Sequence, residues 1–138
     1  MQNILPIHFA PLQGYTEAFY RRAHAQIFGG ITSYYSPFVR VEHGEIRRKD
    51  LREIEPENND GVNFIPQLIA PNVEKMEKLI NLFTAKGYRR ININMGCPYP
   101  FLAKRHNGSG ILPYPDEVRQ LLSTAIETHP DLSFSVKM

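Results

Sequence analysis

The chain has 138 residues, 42% hydrophobic and 22% charged, a balance that suits a folded domain and excludes a disordered one. Sixteen Lys and Arg against fourteen Asp and Glu leave a formal charge of +2, too small to announce a nucleic-acid surface by itself. A single cysteine excludes an internal disulfide and a multi-cysteine zinc site, and no run of roughly 18 apolar residues offers a membrane span, so the expectation is a cytoplasmic, unexported protein.

Apolar, β-rich runs alternate with segments of helical period, the pattern of a parallel sheet with crossover helices. Ile4 to Ala10 is the first expected strand, followed by a turn at Pro11 to Gly14. Thr16 is placed to cap a helix running to about Phe28, with Glu17 in its first turn and Gly29-Gly30 as its stop. Ile31 to Tyr35 is a short second strand. Ser36 to Gly61 is charged and aperiodic, and at about 25 residues it exceeds the usual connection of 4–6, so it reads as a long functional loop. Phe64 to Ala70 is the third strand. Asn72 caps a helix whose apolar face is Val73, Met76, Ile80 and Phe83, ended by Gly87. Arg90 to Asn94 is the fourth strand, and Met95 to Pro113 a second long loop. Pro115, Asp116 and Glu117 open a helix with Val118, Leu121, Leu122, Ala125 and Ile126 on one face, and Leu132 to Met138 is the fifth strand.

Strands recurring at about 27 residues match the repeat of a (β/α)8 barrel, which needs about 250 residues, so the expected fold is α/β, a TIM-barrel type with about five βα units of eight. Residues 1–138 then form a single partial domain. The competing open doubly wound sheet lacks its glycine signature, because Ala10-Pro11-Leu12-Gln13-Gly14 follows the first strand.

Barrel enzymes carry their chemistry at the carboxyl ends of the strands. There the sequence reads Ala10-Pro11-Leu12-Gln13-Gly14 followed by Thr16, then Gln67-Leu68, Asn94-Met95-Gly96-Cys97-Pro98, Gly108-Ser109-Gly110-Ile111-Leu112 and Val136-Lys137-Met138. In that order these segments resemble successive signatures of the tRNA dihydrouridine synthases, and the resemblance spans the whole chain. It implies an FMN- and NADPH-dependent reduction of uridine to 5,6-dihydrouridine in tRNA, with hydride delivered to C6 of a flipped uracil and a cysteine protonating C5.

Cys97 would be that proton donor, since a thiol, with an ordinary pKa of about 8.5, is a competent acid near neutral pH. The competing role is a small core residue, against which stands its place between Gly96 and Pro98 after a strand end. The resemblance assigns flavin contacts to Pro11, Leu12, Gln13 and Gln67, and places Lys137 beside the ring edge where negative charge develops on reduction. Asn94 would hydrogen-bond the target uracil. The plainer alternatives are a tight turn for residues 11–14, an interior amide paired to a neighbouring strand for Gln67, a turn-capping amide for Asn94 and a solvated lysine for Lys137.

Arg47, Arg48, Lys49 and Arg52, and separately Lys104 and Arg105, could meet tRNA phosphates. Acidic residues from Glu42 to Glu57 interleave with the first group, the pattern of a solvated face. His43 and His106 lack the grouped ligands of a metal site. Three positions depart from the commonest pattern of the family, with Asn92 for an aspartate, Pro37 for a glutamate and Pro100 for a lysine, while Phe38-Val39-Arg40-Val41 is similar to one bacterial branch. Phosphate sites in barrels come from the loops after strands 7 and 8, so this polypeptide alone is expected to bind FMN weakly or not at all and to be inactive. The alternatives are a flavin dehydrogenase of a free pyrimidine, and a silent truncated barrel that self-associates through its open sheet edge.

Overall fold

The computed structural model describes residues 5–138; Ile4, which opens the first expected strand, lies outside them. It is a mixed α/β fold. The elements are β1 (His8–Phe9), α1 (Ala18–Ile27), β2 (Ser33–Tyr35), β3 (Val41–Glu42), β4 (Glu45–Ile46), α2 (Arg48–Glu53), β5 (Phe64–Ile65), β6 (Gln67–Leu68), α3 (Val73–Ala85), β7 (Arg90–Asn94), α4 (Pro100–Ala103), α5 (Pro115–Thr128) and β8 (Ser133–Lys137).

The third expected strand is two short ones, because Pro66 has no N–H to give the ladder. β1, β2 and β5 pair in parallel, and so do β6, β7 and β8. The two sheets are stitched where Val39 bridges Leu68, with Val39 N donating to Gln67 O at 2.8 Å and Ile69 N to Val39 O at 3.0 Å. Pro37 removes another donor at this seam, where Gln67 N donates to the Ser36 hydroxyl at 2.9 Å rather than to a backbone carbonyl. The parallel strands therefore follow one another around the fold in chain order, with no reversal of the kind that divides a doubly wound sheet.

Alternation along β7 sets the two faces of the sheet. Ile91, Ile93 and Met95 enter the main core with Leu68, Met76, Leu79, Ile80 and Phe83 of β6 and α3 and with Leu121 and Ala125 of α5. Asn92 and Asn94 point the other way. Both helices are amphipathic as their spacing predicts, except that Ile126 lies 59% exposed at the edge of the α5 stripe. Asn72 does cap α3, its Oδ1 accepting from Lys75 N at 3.0 Å.

Two expectations for the first third of the chain are corrected. Thr16 does not cap α1: its hydroxyl accepts from Leu12 N at 2.8 Å and closes the preceding turn, while Glu17 takes the cap position without a side-chain bond. The orphan N–H of Ala18 is bound instead by Glu53 Oε2 at 2.7 Å, a carboxylate from 35 residues on. Ser36 to Gly61 is likewise not an aperiodic solvated loop, since it holds the β3–β4 hairpin, α2 and a 3-10 turn at Pro56–Asn59. Its Asp50, Glu53 and Asn59 are buried, because the segment folds back onto Arg21 of α1.

Tyr88 locks the same region from the far side, its hydroxyl donating to Ile54 O at 2.8 Å. Burial pushes that hydroxyl up to about 12. A folded-state value above the ordinary tyrosine value of about 10 means that folding favours the neutral form. Stability is therefore intact below about pH 10 and declines as pH rises from about 10 toward about 12. Denaturant titrations across that window should show the decline in the parent chain and a flatter curve in Tyr88→Phe.

Candidate active site

The polar face of β6, β7 and β8 carries a chain of amides. Asn92 Nδ2 donates to Ser135 Oγ at 2.8 Å, Gln67 Nε2 to Asn92 Oδ1 at 2.6 Å, and Asn94 Nδ2 to Gln67 Oε1 at 3.0 Å. Gln67, Asn92 and Asn94 are all buried, and each carbonyl oxygen accepts, so these amides avoid the about 1–3 kcal/mol cost of an unpaired buried polar group. The chain ends on the cysteine turn, where Asn94 Oδ1 accepts from Gly96 N at 3.2 Å and from Cys97 N at 3.0 Å. In this structure Gln67 is thus an interior amide paired across strands and Asn94 a turn-capping amide. Each keeps one amide N–H beyond these bonds.

The turn is clamped from the opposite side by Ser109, whose N and Oγ both donate to Cys97 O, at 3.0 and 3.1 Å. Glycine at 108 permits this approach: its φ is +57°, and a Cβ there would stand 2.6 Å from Cys97 O and 2.9 Å from Cys97 Cβ. Gly108→Ala should cost about 1–3 kcal/mol in a urea titration and change the alkylation rate of the thiol, since the new methyl meets the cysteine's own atoms. Gly14→Ala is the comparison. It shares a positive φ of +83° but nothing lies within 4 Å of its Cβ position, so only the strain cost of about 1–2 kcal/mol applies and the thiol is undisturbed.

Cys97 is half-buried and packs its inner side against Phe38, Ile69 and Leu102. Its outer side lines a cleft of ≈ 170 Å³ that also takes in Pro11, Leu12, Gln13, Gln67, Asn94 and Lys137. The seven residues that the resemblance assigns to proton donation, flavin and uracil thus reach one hollow, although β1, β6, β7 and β8 are spread along the whole chain. A second hollow of ≈ 390 Å³ shares Pro11 and Lys137 and is floored by Asn92 and Ser135. Lys137 stands at the end of β8 in register with Asn94, its carbonyl accepting from Met95 N at 2.8 Å, and its ammonium has no acidic partner among the described residues.

A family model described as dihydrouridine synthase (Dus) matches residues 8–138. The chain belongs to the dihydrouridine synthase family. It is 29% identical over 124 residues to a protein named tRNA-dihydrouridine synthase B from Pasteurella multocida, covering 88% of this chain and 36% of that protein. Proteins of the same name from Klebsiella pneumoniae and Pectobacterium carotovorum are 26% identical over 129 residues and 31% identical over 85. These cover 94% and 60% of this chain, and 39% and 26% of those proteins. The chain spans little more than a third of the length of the curated relatives it matches.

Within this dihydrouridine synthase segment the basic residues fall into two groups. Arg47 forms a two-pronged pair with Asp50 at 2.8 and 3.0 Å, and Lys49 and Arg52 reach Glu17 at 2.7 and 4.0 Å, so three of the four cations between Arg47 and Arg52 are engaged within the chain. The Lys49 bond holds the Glu17 carboxyl below its usual range. Arg105, by contrast, lies exposed over the Phe101 ring at 4.3 Å. Sequence reasoning passed over Asn92 and Ser135 as supports of the site. The signal was present, since both alternate with apolar residues along their strands, Asn92 between Ile91 and Ile93 and Ser135 between Phe134 and Val136.

Proposed function

We propose that this chain forms part of a flavin-dependent (β/α)8 barrel that reduces uridine to 5,6-dihydrouridine in tRNA, and that residues 1–138 are one partial domain of it. The observation that carries this reading is a thiol facing the same cleft as Pro11, Gln67, Asn94 and Lys137, on a turn fixed from both sides. Parallel strands in chain order support the barrel over an open doubly wound sheet. A lone cysteine suits a cytoplasmic setting.

The donor set suits FMN at its ring end. Lys137 offers an unneutralised cation, Gln67 retains an amide N–H, and the ≈ 390 Å³ hollow beside Pro11 and Lys137, next to the Cys97 cleft, reaches the lower range of ligand sites, roughly 300 Å³ upward. Once reduced by NADPH, FMN would supply the hydride for uracil C6. Lys137 would balance the negative charge at the ring edge, and Pro11, Leu12 and Gln13 would line the ring. Asn94 would orient the uracil with its remaining N–H. Cys97 would give its proton to C5, the carbon on which negative charge grows. Asn92 and Ser135 would hold Gln67, and through it Asn94 and the cysteine turn.

An enzyme of the relatives' length carrying this segment, supplied with FMN and NADPH, should form dihydrouridine in an unmodified tRNA transcript and leave free uracil unchanged. Reduction of free uracil without reduction of tRNA would move the protein to the pyrimidine dehydrogenases.

A further inference from the structure

A groove lies behind the Cys97 cleft, separated from it by the Phe38, Ile69 and Leu102 cluster. One wall is the β3–β4 hairpin with Arg40, Glu42 and His43, and the other is Lys75 of α3 with Phe101 and Arg105 on and after α4. Lys78 fixes the hairpin onto α3 by donating to Gly44 O. Arg40 is neutralised by Glu42, with both oxygens at 3.2 Å. Lys75 and Arg105 have no acidic partner among the described residues, so the groove keeps a net positive charge although the whole chain is only +2.

The lip between cleft and groove is aromatic. Tyr99 and Phe101 are 59% and 47% exposed, with ring centroids 6.4 Å apart, two and four residues beyond Cys97. Arg105 covers one face of Phe101, which stays 47% exposed. Unpaired cations along a groove with exposed rings at its edge are what single-stranded RNA binds, phosphates on the cations and bases on the rings.

We infer that this groove holds the phosphates of the RNA strand next to the nucleotide in the Cys97 cleft, through Lys75 and Arg105, while Tyr99 and Phe101 stack a neighbouring base. The inference rests on the proposed function, because it needs the cleft to take one nucleotide of a polynucleotide. Pro100 opens the short helix that carries Phe101.

The test is fluorescence anisotropy of a labelled ten-residue oligouridylate with this chain, without flavin, over a range of salt. Binding should weaken with salt, and each of Lys75→Glu and Arg105→Glu should weaken it at least tenfold and lower the log–log salt slope by roughly 0.7 or more. Arg105 is exposed and Lys75 only half-buried, and unchanged circular dichroism and melting confirm that the variants fold. Phe101→Ala should weaken binding with little change in slope, and Arg48→Glu, outside the groove, should bind as the parent does. Parental affinity in the Lys75→Glu/Arg105→Glu double variant, or failure of the parent chain to bind, overturns the groove. Tight oligouridylate binding by a protein that never reduces tRNA would instead overturn the proposed function alone.

Discussion

Cys97→Ala should lower dihydrouridine formation by about 10²–10⁴, the range lost when a positioned general acid is removed. The fold should survive, since the thiol is small and half-buried and its turn is fixed by main-chain bonds to Asn94 and Ser109 that alanine keeps. RNA affinity should fall far less than the rate, because the groove cations and the lip aromatics are untouched. Single-turnover formation of dihydrouridine, set beside oligonucleotide binding, separates the two. A rate within tenfold of the parent would assign the proton at C5 to another group.

Arg21→Met should destabilise the chain by about 3–5 kcal/mol, a large fraction of the about 5–15 kcal/mol that holds an ordinary domain. The guanidinium is fully buried and donates to Thr16 O at 2.7 Å, Glu53 Oε2 at 3.2 Å, Glu53 O at 3.0 Å and Asn59 Oδ1 at 2.6 Å, with the Phe64 ring 4.8 Å from its carbon. Burial presses Arg21 below its usual value despite the Glu53 carboxylate beside it. Methionine fills the stem's volume but leaves Glu53 charged and buried. The double variant Arg21→Met/Glu53→Gln should recover part of the loss, because the amide oxygen still accepts from Ala18 N and no lone charge remains. Urea titrations of the three variants test this. The effect reaches the site through Thr16, whose carbonyl binds Arg21 and whose hydroxyl closes the turn carrying Pro11, Leu12 and Gln13.

The sheet and the cleft were legible because their signals are local. The apolar runs end where the strands end, within a few residues, and the residues just past those ends share one hollow because parallel strands bring their carboxyl ends to one rim. What stayed hidden depends on distant pairings. Nothing near Glu53 shows that its carboxylate caps a helix 35 residues earlier, and a mixed charge run gives the same composition whether Asp50 and Glu53 face water or Arg47 and Arg21. The break at Pro66 was readable as a missing donor, but the Ser36 hydroxyl that accepts the next N–H, that of Gln67, was not. For Gln67 and Asn94 the sequence offered an interior amide and a turn-capping one, yet only the register Gln67↔Asn92 and Asn94↔Lys137 ties the amides into a chain ending at Cys97.

In an enzyme of the relatives' length, alkylation by iodoacetamide is assigned through its peptide to Cys97, the one cysteine of residues 1–138. Followed by mass spectrometry on the folded, flavin-loaded enzyme, Cys97 should label without denaturant and should be shielded when a uridine-containing RNA is bound. Labelling that needs denaturant, or that proceeds at the same rate with and without RNA, would contradict the placement of this thiol against the substrate.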